Sequence, residues 1–225
     1  IKFPSNAKYL LWNKIIKKDF LMTFPKIRSA DCFSIGPLQM LALHKFNSKN
    51  NINKQKPLIN KYIYYAFSTG VPNLIKLEFE LVNELANIFS KYGYKFIVRP
   101  YPLAKTEGQL FSSNIILDSN NFDYIERKKS KVSEEDIKYS HISSAKLCIH
   151  LGTTLGLEAL LLNVPTVMLK LDYNPKYKSL SRWANQKHLK EYLNNLPYGY
   201  IEIECLKDIV KNKKLSLVSN QQQEF

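Results

Sequence analysis

The sequence predicts an α/β domain with a Rossmann-like parallel sheet and helices on both faces. Three observations support this prediction. Short apolar runs rich in Tyr, Ile and Val alternate with longer segments of helical periodicity from residue 61 to residue 169. A Gly-Thr-Thr loop joins one of these runs to the helix that follows it. The chain has 225 residues, enough for one large domain or for one domain and a fragment of another.

The beginning of the chain lacks this alternation. Within residues 1–46, residues 9–20 have helical spacing and residues 32–35 can form a short strand. Residues 47–60 begin with the polar run NSKNNINKQK and are predicted to be a linker or exposed loop. We therefore expect the main domain to span residues 61–225.

The main domain is predicted to open with a strand, a loop and a helix. Residues 62–67 (YIYYAF) form a β-rich run that ends in the loop sequence STG. Residues 74–92 carry Leu and Ile at helical spacing, and Gly93 follows as a helix stop.

The same alternation continues to the end of the chain. A capping-box pattern of Ser133 with Asp136 opens another helix. Further strands are predicted at residues 94–98, 114–117, 146–150, 166–169 and 200–204, further helices at residues 155–162, 183–193 and 206–213, and a frayed end at residues 219–225. Alternation of this kind gives a parallel sheet, and ligands bind beyond the carboxyl ends of its strands.

The composition limits the classes of partner. The net charge is +14, and Arg contributes only four of the 33 basic residues. This excess of Lys reflects either a coding bias that also enriches Asn and Ile, or an attraction to an anionic membrane surface or polyanion. No RNA recognition motif is visible, so no specific nucleic-acid partner is expected.

The sequence contains no targeting signal and no long apolar run. No stretch approaches the roughly 20 apolar residues of a membrane span, and no signal-peptide pattern opens the chain. The three cysteines form no CxxC pair. We expect a cytoplasmic protein, with peripheral association at the inner face of the membrane left open. The first residue is Ile1 rather than Met, which favours a piece of a longer protein.

The loop after the 146–150 strand is a candidate anion site. Gly152 lets a backbone approach a phosphate, and Thr153 and Thr154 add hydroxyl donors beside a helix start. An ordinary βα turn capped by Thr is the structural alternative. Glu158 lies one turn into a helix that is otherwise mostly leucine, where a carboxylate needs partners. The diol of a ribose would suit it, and a solvated edge or a Lys partner is the alternative.

Residues at the ends of neighbouring strands are further candidates. Arg99 would face the same crevice and bind a phosphate or carboxylate. Ser68, Thr69 and Gly70 end the first strand and would add donors from the opposite wall. His150 ends its strand beside the glycine loop and is the one histidine placed to contact a donor phosphate or the transferred group. No spacing indicates a metal site.

Several stretches resemble known glycosyltransferase motifs. The sequence HLGTTLGLEA at residues 150–159, followed by NVPTV, resembles the C-terminal donor motif of GT-B glycosyltransferases. The sequences SIGPLQ and VRPYP resemble passages of the branch that makes capsule and lipopolysaccharide, together with the related glycerophosphotransferases. Tyr101 replaces the usual His, and Asn163 replaces the usual Gly.

The resemblance implies a fold, a ligand and roles for three residues. The chain would be the C-terminal half of a GT-B fold, with residues 1–46 ending the acceptor domain or joining the domains. Thr153 and Thr154 would bind the donor phosphates, and Glu158 the ribose.

The resemblance also implies an activity. A sugar would pass from a CMP-, CDP-, UDP- or GDP-linked donor to a surface polysaccharide or lipopolysaccharide acceptor, lipid-linked or free. No metal or other cofactor is implied. The catalytic base is expected in the missing N-terminal domain, so this part alone would be inactive. Two alternatives remain: a nucleotide-sugar 2-epimerase, which shares this layout, and a non-catalytic basic module that docks on anionic membrane or nucleic acid.

Overall fold

The computed structural model divides the chain into two compact units, Ile1–Ser48 and Lys49–Phe225. The structure describes residues 7–11, 14–35, 43, 45–46, 61–101, 112–118, 134–183, 196, 199–212, 214 and 218. The predicted linker at residues 47–60 lies outside the described residues and stays a prediction. The same holds for residues 184–193 of the helix predicted over residues 183–193, for the end at residues 219–225 and for the capping residue Ser133.

The first unit contains a small βαβ arrangement. Strand β1 (Tyr9–Leu11) leads to helix α1 (Lys14–Thr23), and a short 3-10 turn precedes strand β2 (Cys32–Ser34). The two strands pair in parallel, with Tyr9 opposite Cys32. The predicted helix over residues 9–20 was therefore wrong in its first three residues, because pairing with β2 draws them into a strand.

The second unit alternates strands and helices along the chain. Its strands are β3 (Tyr62–Ala66), β4 (Lys95–Arg99), β5 (Ile115–Leu117), β6 (Leu147–His150), β7 (Thr166–Lys170) and β8 (Tyr200–Glu202). Its helices are α2 (Pro72–Ser90), α3 (Glu134–Ser143), α4 (Leu155–Leu161) and α5 (Ile203–Lys211), with a 3-10 helix at Lys178–Trp183.

All six strands form one parallel sheet in the order β5-β4-β3-β6-β7-β8. The chain therefore starts in the middle of the sheet, moves outward to one edge, returns to the centre and moves outward to the other. This is the doubly wound order of Rossmann-type sheets, which confirms the predicted fold class.

Helices cover both faces of the sheet. Alternate residues of β3 point to opposite faces, and every residue of this central strand is buried. Ile63 and Tyr65 belong to the large core beneath α2 and α5. On the other face, the hydroxyl of Tyr62 donates to the carbonyl of His141 in α3. Near-complete burial of β3 explains why its sequence shows no polar and apolar alternation.

The last two elements differ from their predicted bounds. The strand predicted over residues 200–204 ends at Glu202, and the helix predicted from residue 206 begins at Ile203. Ile203, Leu206 and Val210 are all buried, so helical periodicity already holds from residue 203. At the other end of the unit, α2 begins at Pro72 rather than residue 74, because proline is well suited to the first turn of a helix.

Candidate functional site

The carboxyl ends of β3 and β6 meet where the strand order reverses, and ligands of parallel α/β sheets bind at such a point. Ala66 of β3 pairs with Arg99 of β4 on one side and with His150 of β6 on the other. The β3–α2 loop (residues 67–71) and the β6–α4 loop (residues 151–154) leave the sheet here. The sequence-predicted residues of both loops therefore share one edge of the sheet with Arg99 and His150.

The side chain of His150 holds the backbone of the β6–α4 loop in place. Its Nδ1 accepts hydrogen bonds from the backbone N–H groups of Gly152 and Thr153, at 3.1 and 3.2 Å. Burial lowers the pKa of His150 to about 3, so the imidazole is neutral and its proton lies on Nε2. The side chain is fully buried. This geometry favours a positioning role for His150 over the direct contact with substrate that the sequence suggested.

Two glycines make this arrangement possible. Gly152 has a φ of 119°, a conformation that L side chains rarely adopt. A Cβ on Gly156 would lie 2.2 Å from Nε2 of His150. Glycine at position 156 therefore allows α4 to cross directly over the imidazole ring.

Few donors of the β6–α4 loop remain for a ligand. The N–H groups of Gly152 and Thr153 point to His150, and those of residues 156–158 bond to carbonyls of the loop itself. Among the described residues, the N–H groups of Thr154 and Leu155 have no hydrogen-bond acceptor. The hydroxyl of Thr153 is buried and also lacks a described partner. Any anion at this loop would thus be held by Thr153, Thr154 and Leu155, and not by Gly152.

Glu158 is buried and paired with a lysine. Only 5% of the residue is exposed, and Nζ of Lys138 in α3 lies 2.7 Å from its Oε2. At this distance the ammonium group and the carboxylate form a close ion pair. The Lys partner considered as an alternative is present.

Arg99 is already paired with a carboxylate that follows β5. Its Nη1 lies 3.1 Å from Oδ2 of Asp118, which also accepts the hydroxyl of Tyr64 at 2.8 Å. Nδ1 of His141 lies 3.5 Å from Oδ1. Burial alone would raise the pKa of Asp118, but His141, Arg99 and Tyr64 together hold it below its ordinary value. Asp118 is therefore an anion, and it holds the side chain of Arg99 in place at the carboxyl end of β4.

The donors of Ser68 are directed into the protein. The backbone N–H and the hydroxyl of Ser68 both donate to the buried carboxylate of Glu78, at 2.9 and 3.0 Å. The hydroxyl oxygen of Thr69 accepts the N–H of Val71 at 3.0 Å. Within the β3–α2 loop, Gly70 is therefore the main residue left to bind a phosphate, and it is partly exposed.

Three charged residues of the candidate site were not predicted from the sequence. Glu78 could have been found by its spacing, because it lies on the same helical face as the buried Ile75 and Val82. Asp118 directly follows the apolar residues of β5, where a polar side chain reaches the ligand edge. Lys138 had no local signal, because its partner lies 20 positions away on a different helix.

The described residues contain no group of three or more His, Cys, Asp or Glu side chains that could hold a metal ion. They also include no helix that is both long and apolar enough to cross a membrane.

Comparison with solved structures shows a similar fold in two other proteins. Two structures of histidine variants of the wall teichoic acid polymerase TagF match 97% of this chain, with TM-scores of 0.52 and 0.54 and identities of 18% and 17%. A UDP-GlcNAc 2-epimerase from Methanocaldococcus jannaschii, in complex with UDP-GlcNAc and UDP, matches 91% with a TM-score of 0.56 and 16% identity. No protein-family model and no curated protein matches.

The matched proteins have in common the GT-B fold. This chain shares with them a Rossmann-like parallel sheet flanked by helices. It spans about half the length of each GT-B structure that it matches, namely 51% of TagF and 53% of the epimerase. At identities below 20%, this likeness concerns the fold and does not transfer an activity.

Proposed function

We propose that this chain binds the nucleotide-sugar donor of a glycosyltransferase that builds a surface polysaccharide or lipopolysaccharide. The observation that carries the proposal is the buried carboxylate of Glu158 at the switch point of a GT-B sheet. A buried carboxylate is stabilised by hydrogen-bond donors, and a bound diol would supply two hydroxyl donors in one plane.

The neighbouring groups suit the rest of a nucleotide sugar. Thr153 and Thr154 would donate to the phosphates, and Arg99 and Lys138, each paired with a carboxylate, would add positive charge. Lys138 also places a positive charge beside the carboxylate of Glu158. Helix α4 has only seven residues, so its dipole adds little, and the hydroxyls and cations must provide most of the attraction.

The reaction would be transfer of the sugar to an acceptor hydroxyl. The bond between the anomeric carbon and the phosphate oxygen breaks, a bond from that carbon to the acceptor oxygen forms, and the nucleotide leaves with both bonding electrons. Preorganised donors at the phosphates stabilise the charge that develops on the leaving group. The proton of the acceptor would pass to a base on another part of the full protein.

Calorimetry with CMP, CDP, UDP and GDP tests the donor site. We expect one of these nucleotides to bind the wild-type chain and Glu158→Gln to weaken that binding by about tenfold or more, because a hydrogen bond to a charged group contributes roughly 1.5–3 kcal/mol. Glu204→Gln is the matched control, since Glu204 is exposed on α5 and pairs only with Lys207 among the described residues.

Two results would overturn the proposal. The first is no binding of any of the four nucleotides. The second is equal binding by Glu158→Gln and the wild type. Binding to anionic vesicles or random DNA duplex that weakens with salt and is unchanged in Glu158→Gln would point to a basic docking module instead.

A further inference from the structure

Lys138 brings a positive charge to the buried carboxylate of Glu158 from a separate helix. Lys138 lies on α3 and Glu158 on α4, and Nζ of the lysine is 2.7 Å from Oε2 of the glutamate. Only 14% of the lysine side chain and 7% of the glutamate side chain are exposed. Water and salt therefore screen this pair much less than the exposed ion pairs of the protein, such as Lys176 with Glu80.

The ammonium group of Lys138 has a second contact that restrains it. Its Nζ lies 4.3 Å from the centre of the Tyr139 ring, within the range of a cation–π contact. Only 1% of Tyr139 is exposed, so the ring is itself held by the core. The long side chain of Lys138 is therefore restrained at its tip by a carboxylate and by an aromatic ring.

Helix α3 is anchored to the sheet next to Lys138. Tyr139 and Ile142 are buried, and the carbonyl of His141 accepts the hydroxyl of Tyr62 in β3. Lys138 thus extends from a backbone that is held in place. Its ammonium group can serve as a fixed point for the carboxylate that it contacts.

Glu158 depends on such a fixed point for its orientation. Its carboxylate follows several rotatable bonds, and Lys138 is its ion-pair partner among the described residues. A carboxylate that rotates would have to be ordered when a ligand binds, at a cost in side-chain entropy. An ionised carboxylate has about four lone-pair sites, so contact with one ammonium group leaves enough of them for the two hydroxyls of a diol.

We propose that Lys138 is a positioning residue of the donor site, which holds the carboxylate of Glu158 in the orientation that accepts the ribose diol. This role rests on the proposed function, because the diol belongs to the proposed donor. The restraint of the carboxylate rests on the contacts of Lys138 alone. Lys138 acts through Glu158 and does not need to touch the nucleotide.

Two other roles of Lys138 would give different results. A lysine that only attracts phosphates strengthens the binding of every nucleotide alike, with or without the diol. A lysine that the diol must displace from Glu158 weakens the binding of nucleotides that carry the diol. The preference for the diol, measured at constant phosphate charge, therefore distinguishes positioning from both.

Calorimetry measures this preference. The nucleotide that binds best among CMP, CDP, UDP and GDP is compared with its dideoxy form, which has the same base and phosphates and lacks both hydroxyls of the diol. We expect the wild-type chain to prefer the normal form by about tenfold or more, because hydrogen bonds to a charged group are among the stronger ones. Lys138→Met should reduce this preference by about threefold or more, because the carboxylate must then be ordered during binding.

Three further variants make the result specific. Lys138→Arg keeps a cation beside the carboxylate, so its preference should stay within about twofold of the wild type. Lys207→Met removes the same charge from a lysine that pairs with Glu84 and Glu204, and it should leave the preference unchanged. When Glu158→Gln is already present, Lys138→Met should have no further effect on the preference, since it acts through the carboxylate.

Circular dichroism verifies that each variant is folded. Removing one partner of a buried ion pair is destabilising, so Lys138→Gln, which keeps a polar tip without the charge, replaces Lys138→Met if the latter does not fold. An unchanged preference in the folded variant would overturn the proposal and leave Lys138 as an attractor of phosphates. An increased preference would also overturn it, because the diol would then compete with Lys138 for the carboxylate.

Failure of the donor site gives a different pattern. If the wild type binds none of the four nucleotides, the donor site and the role of Lys138 are both wrong. If it binds one of them without preferring the diol, the assignment of Glu158 to the ribose is wrong, together with the role of Lys138. If it prefers the diol and Lys138→Met prefers it equally, the donor site stands and only the role of Lys138 is wrong.

Discussion

Gly156 lies so close to the imidazole of His150 that the site tolerates no larger residue there. A Cβ would lie 2.2 Å from Nε2, and the ring cannot move away because its Nδ1 holds the β6–α4 loop. Gly156→Ala should therefore reduce the free energy of unfolding by about 3 kcal/mol, at the upper end of overpacking effects. Chemical denaturation measures the loss.

Two controls separate this contact from a general effect on α4. Leu161→Ala changes an exposed residue of the same helix and should change the free energy of unfolding by less than about 0.5 kcal/mol. Combining Gly156→Ala with His150→Ala should cost less than the sum of the single variants, since the second change removes the clash. Additive losses in the double variant would mean that the ring of His150 is not the obstacle.

The candidate site was only partly predictable from the sequence. Glu158 and the glycine and threonine loop stand out because polar residues interrupt apolar runs at a strand end. Glu78 and Asp118 are equally buried, yet their partners come from segments 10 to 54 positions away. Local patterns do not encode such pairings, so the sequence suggested Ser68 as a phosphate ligand while the fold directs its donors to Glu78.

Asp118 connects strands β4 and β5 with helix α3 through charged and polar contacts. The pairing of β5 with β4 is only three residues long, and its outer face is partly exposed. The ion pair with Arg99 and the contact with His141 therefore matter for holding this edge. Asp118→Asn should cost about 3 kcal/mol of unfolding free energy, because it leaves the largely buried Arg99 without its anion.

The loss in Asp118→Asn should also be local. Hydrogen exchange should accelerate in peptides that cover β5 and α3, and remain unchanged in those that cover α5. Asp208→Asn, at an exposed position on α5, is the matched control. Uniform acceleration across the sheet would show that Asp118 supports the whole fold and not this edge in particular.

Strands and helices could be predicted from the sequence where a periodic pattern of apolar residues is long. The prediction was wrong where pairing with a distant segment determines the structure. Helix α2 has 19 residues and a continuous apolar face, so its bounds were found to within two residues. Strand β1 has three residues, and nothing in its own sequence distinguishes it from the start of a helix. Its conformation depends on β2, more than 20 positions later.

The six-stranded sheet and every candidate site residue belong to the second of the two units. The second unit also contains a continuous core that extends from β3 to α5. A domain with its own core and a complete sheet is expected to fold by itself. Residues 61–225 expressed alone should therefore unfold in one cooperative transition and bind the same nucleotide as the full chain, with an affinity within about twofold.

Thermal denaturation followed by circular dichroism tests folding, and calorimetry tests binding. The comparison with the full chain is the control, because both proteins contain the same second-unit residues from β3 onward. Glu158→Gln should weaken binding equally in both, since Lys138 and the β6–α4 loop are present in each. A truncated chain that folds but no longer binds would mean that residues 1–60 contribute directly to the donor site. A truncated chain that does not fold would show that the core of the second unit is insufficient without them.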